Sequence, residues 1–227
     1  MVPVVSFDAG QTLVELDLDF LAHRLVSRGI SVDPAALAAS APAAWQLYET
    51  LAARGHGRVW HGLMTALLEG AGVRGAAELA DWLQGEQPRA NLFRKPITDV
   101  IEVVRELASR GVALVVVSNS EGRLAELLTE SGLASLFPVI VDSGRLGIEK
   151  PDRRIFDHAL AQLGRAADDP APRIHIGDSY AADIAGALGA GWNAVWYGRQ
   201  AAAVADPRVA IARDGSELRG ALERFGV

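Results

Sequence analysis

Val112-Ala113-Leu114-Val115-Val116-Val117-Ser118-Asn119-Ser120 is the most apolar run of the chain, and it ends abruptly in three small polar residues. Such a continuous apolar stretch has no polar face to turn toward water, so it reads as a strand buried on both sides, as in a parallel sheet. Helical patterns flank it, Ile97–Arg110 before and Arg123–Ser131 after, with Gly111 and Gly132 placed as left-handed helix stops. The same alternation continues outward. Strands are expected at Pro3–Phe7, Val139–Val141, Arg173–Ile176, Ala194–Tyr197 and Val209–Ala212, and helices at Asp152–Leu163, Asp183–Ala190 and Ser216–Arg224. Pro151-Asp152 opens the first of these helices with proline in a first-turn position, and Gly164 and Gly191 follow as stops. Strand and helix alternating with right-handed crossovers predict an α/β fold, a doubly wound parallel sheet.

Between Asp8 and Val112 the alternation breaks. Phe20–Arg28, Pro34–Arg54, Val59–Ala71 and Ala76–Gln84 are all helical patterns, which predicts an inserted all-helical cap domain over 14–93 and an α/β core over 1–13 and 94–227. Ligands of open α/β sheets bind beyond the carboxyl ends of the strands, so an insertion leaving that edge is placed to roof a site. Leu13–Leu16 and Pro88–Pro96 are the expected hinges, Trp45, Trp60 and Trp82 are expected to pack the cap interior, and Arg54-Gly55-His56-Gly57-Arg58 reads as an exposed polar turn.

Composition narrows the function. Among 227 residues half are hydrophobic, 22% are charged and the net charge is −6, with no basic run of the kind that grips nucleic acid. No cysteine is present, which excludes disulfides, thiolate metal sites and a cysteine nucleophile. Asp8 interrupts the N-terminal apolar stretch, and no segment approaches the roughly 20 apolar residues of a membrane span. A cytoplasmic enzyme or binding domain, without membrane or nucleic-acid partners, is the expectation.

Four segments carry candidate chemistry. Asp8 ends the first strand and begins Asp8-Ala9-Gly10-Gln11-Thr12; a carboxylate there is either a nucleophile or the acceptor of an Asx turn or helix cap. In His175-Ile176-Gly177-Asp178-Ser179-Tyr180-Ala181-Ala182-Asp183, two more acids follow a strand on one turn. With Asp8 they would form an oxygen-rich set suited to Mg²⁺; otherwise they are two helix caps. Ser118 and the backbone N–H groups after it lie where a helix start can cradle an anion, or where serine serves as N-cap. Lys150 precedes a helix, and only Lys95 shares its residue type, arginine carrying the remaining positive charge. It is a point charge for phosphate oxygens or a neighbouring aspartate, or a solvated surface residue. The histidines at 23, 56, 61, 158 and 175 show no metal spacing, and His175, inside a strand, reads as a core or edge residue. Gly186, Gly189 and Gly191 follow a helix, so they read as packing and a stop, not as a dinucleotide loop.

In their order along nearly the whole chain, these segments resemble the haloacid dehalogenase-like hydrolase superfamily. The resemblance implies a Rossmann-like core and Mg²⁺ held by Asp8, Asp178 and the backbone carbonyl of Gly10, with Asp183 a ligand or a residue just behind the ligands. It further implies that Asp8 forms an aspartyl-phosphate with a small phosphorylated metabolite, that Ser118, Asn119 and Lys150 bind substrate, and that Ser118 and Lys150 assist catalysis. One departure stands out. Phosphatases of the family read Asp-x-Asp-x-Thr, and their second acid protonates the leaving group; this chain has Gly10 there. Dehalogenases and a phosphonate-cleaving member also lack that acid, so C–halogen or C–P cleavage is an alternative, as is an impaired member that binds a metabolite or protein. Gly10 also lacks the aromatic side chain dehalogenases place there, and leaves room for a substrate group to supply the proton.

Overall fold

In the computed structural model, residues 1–55, 57–166, 168–198, 201–202 and 204–227 are described; His56 of the polar turn lies outside them. The chain divides into two units, Met1–Glu15 with Phe93–Val227, and Leu16–Leu92.

The larger unit is built on a six-stranded sheet. Its strands are β1 (Val4–Phe7), β4 (Ala113–Ser118), β5 (Val139–Asp142), β6 (Arg173–Gly177), β7 (Asn193–Tyr197) and β8 (Val209–Ala212), ordered β5-β4-β1-β6-β7-β8. Every pairing is parallel, and β1 sits between β4 and β6 with Phe7 level with Val116 and Ile176. The chain first winds from β1 toward β5, then crosses back toward β8, so the winding direction reverses at β1. That is the topological switch point where open α/β sheets bind their ligands.

Alternate residues of the strands feed two apolar layers, as a doubly wound sheet requires. Val5, Phe7, Val116, Ile176 and Val195 face one layer with α5 (Thr98–Ser109), α6 (Leu124–Glu130) and α10 (Gly215–Arg224). Val4, Val115, Val117 and Ala194 face the other, with α8 (Arg153–Gln162), α9 (Ala185–Gly189) and Trp192. The short helix α7 (Ser143–Leu146) follows β5 directly. Pro151 falls just outside its helix, because Asp152 is the N-cap and accepts the Arg154 N–H at 2.9 Å. The segments expected to be plain hinges carry backbone pairing: β2 (Val14–Leu16) and β3 (Phe93–Pro96) form a two-stranded ribbon, and the Ile97 N–H donates to the Leu13 carbonyl at 2.9 Å.

The smaller unit holds α1 (Leu18–Val26), α2 (Pro34–Ala53), α3 (Val59–Gly70) and α4 (Ala76–Glu86). Its interior is aliphatic, made of Leu21, Leu25, Leu37, Leu63, Met64, Leu67, Leu68 and Leu83. The three tryptophans expected there are only half-buried. Trp82 instead carries two guanidinium groups over its ring, Arg24 at 5.1 Å and Arg28 at 4.8 Å. Among the described residues no helix is long and apolar enough to cross a membrane.

Candidate active site

Asp8, Ser118 and Asp178 all sit at the carboxyl ends of neighbouring strands, because each sequence segment changes from apolar to polar where its strand stops. Lys150 arrives from the loop before α8, and its side chain is almost fully enclosed. An ammonium with three N–H donors must find acceptors when removed from water. The Nζ of Lys150 finds three: Asp8 Oδ1 at 2.6 Å, the Val117 carbonyl at 2.7 Å and Asp183 Oδ1 at 2.5 Å. All three N–H donors of Lys150 are therefore engaged with the protein.

The partners of Asp183 and Ser118 show which residues cap the neighbouring helices. The cap of the π-helical turn Tyr180–Ile184 is Ser179, whose hydroxyl accepts the Ala182 N–H at 3.3 Å. Asp183 does not cap; its Oδ2 accepts the Ser179 N–H at 2.9 Å, while Oδ1 faces Lys150 and His175. Gly177 makes room for this carboxylate, since a Cβ at 177 would overlap the Asp183 side chain. At Ser118 the capping alternative also falls away: the Gly122 and Leu124 N–H groups before and at the start of α6 donate to Asp142, at 3.1 and 2.9 Å. Asp142 also caps α7 through the Gly144 N–H at 2.9 Å, a structural role the sequence reading missed. Ser118 is left to hydrogen-bond Asp8.

Burial pushes the Asp8 carboxyl up to about 6; Lys150 and the Ser118 hydroxyl work against that shift, and Asp183 adds to it. Asp183 is buried too, but Lys150 and His175 outweigh the burial and hold it well below the usual carboxylate range. Burial opposes the Lys150 ammonium, and the carboxylates of Asp183 and Asp8 reverse this and raise it. One carboxylate oxygen from each of Asp8, Asp178 and Asp183 lies within 4.8 Å of the others. A hard, all-oxygen donor set of this kind fits Mg²⁺ and offers nothing to a soft metal.

Asn119 follows Ser118 at the end of the strand. Its side-chain amide bonds both backbone groups of Lys150, accepting the N–H at 2.8 Å and donating to the carbonyl at 3.0 Å. Gly10 is half-buried with a backbone conformation open to any L residue; a Cβ there would meet the Phe93 ring at 3.5 Å and Asp8 Oδ2 at 3.9 Å, ordinary contacts.

Residues 2–191 match the haloacid dehalogenase-like hydrolase family. The chain belongs to that family. It is 37% identical over 153 residues to haloacid dehalogenase-like hydrolase domain-containing protein 3 of Bos taurus, covering 61% of this chain and 57% of that protein. It is 37% identical over 125 residues to phosphoserine phosphatase of Thermus thermophilus, covering 55% of this chain and 47% of that enzyme. The chain thus spans about half the length of the curated relatives it matches. Its fold superposes on the HAD-hydrolase YfnB of Bacillus subtilis, a structure bound to magnesium, with TM-score 0.74 and 23% identity over 97% of this chain and 98% of that one.

Proposed function

We propose that this hydrolase is a Mg²⁺-dependent phosphatase of small phosphorylated metabolites, with Asp8 as nucleophile. The observation that carries the reading is the meeting of the Asp8, Asp178 and Asp183 carboxylates beside a buried ammonium at the switch point of the sheet. The similarity to phosphoserine phosphatase supports phosphate esters over other substrates.

Asp8, Asp178 and the Gly10 carbonyl would hold Mg²⁺, with Asp183 behind them because its oxygens already accept from Lys150, His175 and Ser179. When bound, Mg²⁺ supplies positive charge to the phosphoryl oxygens. Lys150 keeps Asp8 oriented through Oδ1, and a carboxylate oxygen of Asp8 attacks phosphorus as the bond to the leaving oxygen breaks. Ser118 and the Asn119 N–H would face the equatorial oxygens, where charge accumulates, the N–H groups of Ser120, Gly122 and Leu124 being already given to Ser143 and Asp142. The leaving oxygen takes its proton from water or from an acidic group of the substrate itself, since position 10 offers none. Water then attacks the aspartyl-phosphate, loses a proton to solvent, and returns Asp8 with inorganic phosphate.

A panel of phosphate esters and 2-haloacids, assayed with Mg²⁺ and with EDTA, tests the reading. Phosphate release that needs Mg²⁺ and disappears in Asp8→Asn supports it. Halide release that persists in EDTA overturns it in favour of dehalogenation, and no turnover of any substrate favours a binding role.

A further inference from the structure

Beneath the site, on the two central strands, a serine and a histidine are buried with no direct share in the chemistry described above. Ser6 on β1 is level with His175 on β6, and both are fully enclosed. Ser6 Oγ lies 2.9 Å from His175 Nδ1, and His175 Nε2 lies 3.1 Å from Asp183 Oδ1. Asp183 Oδ1 is the oxygen that Lys150 holds, and Lys150 in turn holds Asp8. A continuous hydrogen-bonded line therefore runs from the sheet interior to the nucleophile, Ser6 to His175 to Asp183 to Lys150 to Asp8.

The direction of each bond follows from the groups. Ionised Asp183 can only accept, so His175 must donate through Nε2–H. A neutral imidazole with its proton on Nε2 has a bare Nδ1, which can only accept, so the Ser6 hydroxyl must be the donor there. Packing fixes the ring as well: Phe156 stands edge-on to it at 5.1 Å and 86°, and Trp192 backs Phe156 at 5.5 Å. A strand interior normally takes an apolar residue, and two facing polar side chains there cost stability unless they are mutually satisfied. Beyond each other, they hydrogen-bond to the Asp183 oxygen shared with Lys150.

We propose that Ser6 and His175 are positioning residues of this hydrolase: Ser6 anchors the His175 ring by donating to its bare Nδ1, and His175, held in the Nε2–H form by Asp183, fixes the Asp183 oxygen that seats Lys150 against Asp8. This deepens the phosphatase reading and rests on it only for the consequence to catalysis. The arrangement of the four groups can be tested without substrate.

The test uses ¹⁵N NMR of the whole chain, which contains only Lys95 and Lys150 as lysines. The histidine ring signals should show His175 neutral with its proton on Nε2. The Lys150 ammonium protons, directed at three buried acceptors, should exchange slowly enough to be seen. Ser6→Ala should leave the proton on Nε2, where Asp183 holds it, and shift the signal of the unprotonated Nδ1, which loses its donor; an Nδ1 signal left unmoved counts against the proposal. His175→Gln, whose side-chain NH₂ can still donate to Asp183, should keep the slow ammonium signal and bind Mg²⁺ within about threefold of the wild type. His175→Met, which fills the space without a donor, should lose that signal and weaken Mg²⁺ binding by about 10–100-fold, the usual effect of removing a residue that orients a metal ligand. A wild-type His175 protonated on Nδ1, or a His175→Met protein with an unchanged Lys150 signal, overturns the proposal. If His175→Met does not fold, Ser6→Ala and His175→Gln decide it through the same signals. Failure of the phosphatase reading would appear in the substrate panel and leave these signals as they are, so the two failures are distinguishable.

Discussion

The side-chain amide of Asn119 clasps the backbone of Lys150 from both sides, its Oδ1 on the N–H at 2.8 Å and its Nδ2 on the carbonyl at 3.0 Å. The residue after Ser118 thereby fixes the residue whose ammonium reaches Asp8, linking the end of β4 to the loop before α8. Asn119→Ala should cost about 1–2 kcal/mol of stability, since two partly buried backbone groups lose their partners. It should lower kcat more than it raises KM, because the misplaced group is Lys150 and not a substrate contact. Asn119→Asp keeps the acceptor but loses the donor, and should fall between the two. Denaturant melts with steady-state kinetics on the best phosphate ester check the order.

Lys150 is worth more to the fold than an exposed lysine, because it is the shared counter-ion of two buried acids. Removing one member of a buried ion network leaves uncompensated charge and typically costs about 3–5 kcal/mol. Lys150→Met should show a loss of that size near neutral pH, smaller in acid as Asp8 takes up a proton. Lys150→Arg should not restore activity, since three acceptors converge on one nitrogen and a planar guanidinium cannot meet them together. Urea melts at two pH values and activity of the arginine variant are the measurements.

The sign of the pH dependence follows from Asp8. Its carboxyl is pushed up to about 6, mainly by burial, so below that pH the metal-free protein carries a proton there. Asp183 is shifted the other way and stays ionised through the same range. A cation that needs ionised Asp8 must displace the proton, so the apparent Mg²⁺ affinity should be flat above pH 6 and fall about tenfold per unit below it. Calorimetric titration in two buffers of different ionisation enthalpy should detect up to one proton released per ion bound at pH 5 and none at pH 8.

How much of this was legible in the sequence depended on the range of each interaction. Asp8, Ser118 and Asp178 were visible because each ends an apolar strand, and strand ends of a parallel sheet converge whatever the details of pairing. The pairing of the Val14–Leu16 and Phe93–Pro96 segments was hidden, because Phe-Arg-Lys-Pro has a single apolar residue before its proline and no period to read. The Ser6–His175 bond was hidden for a different reason: it depends on the register of two strands 169 residues apart, which neither segment specifies alone. Asp142 was passed over because one acid after a weak strand looks like any turn residue, and its three N–H partners come from two separate helix starts. The tryptophans were expected inside the cap for their size, but leucines and a methionine fill that small interior and leave the indoles half-buried.

Gly10 poses the question with the sharpest answer. Family phosphatases carry their acid at this position, and a positioned proton donor contributes typically 10²–10⁴-fold. Glycine here is not demanded by the backbone, whose conformation suits any L residue, nor by space, since a Cβ would rest against Phe93 at 3.5 Å without overlap. Gly10→Asp should therefore fold with a stability close to that of the parent. If the wild type turns over slowly for want of an acid, the variant should gain at least tenfold in kcat on esters with poor leaving groups. It should gain little on p-nitrophenyl phosphate, whose leaving group needs no proton. If the natural substrate brings its own acidic group, the variant should instead lose activity on that substrate, because the new carboxylate occupies the space beside Asp8 Oδ2 where the group would sit. Comparing kcat of both proteins across esters of graded leaving-group pKa, with and without an acidic group of their own, separates the two cases: a shallower slope in the variant on esters without that group marks a missing acid, and a lower kcat in the variant on esters that carry it marks a substrate that supplies its own.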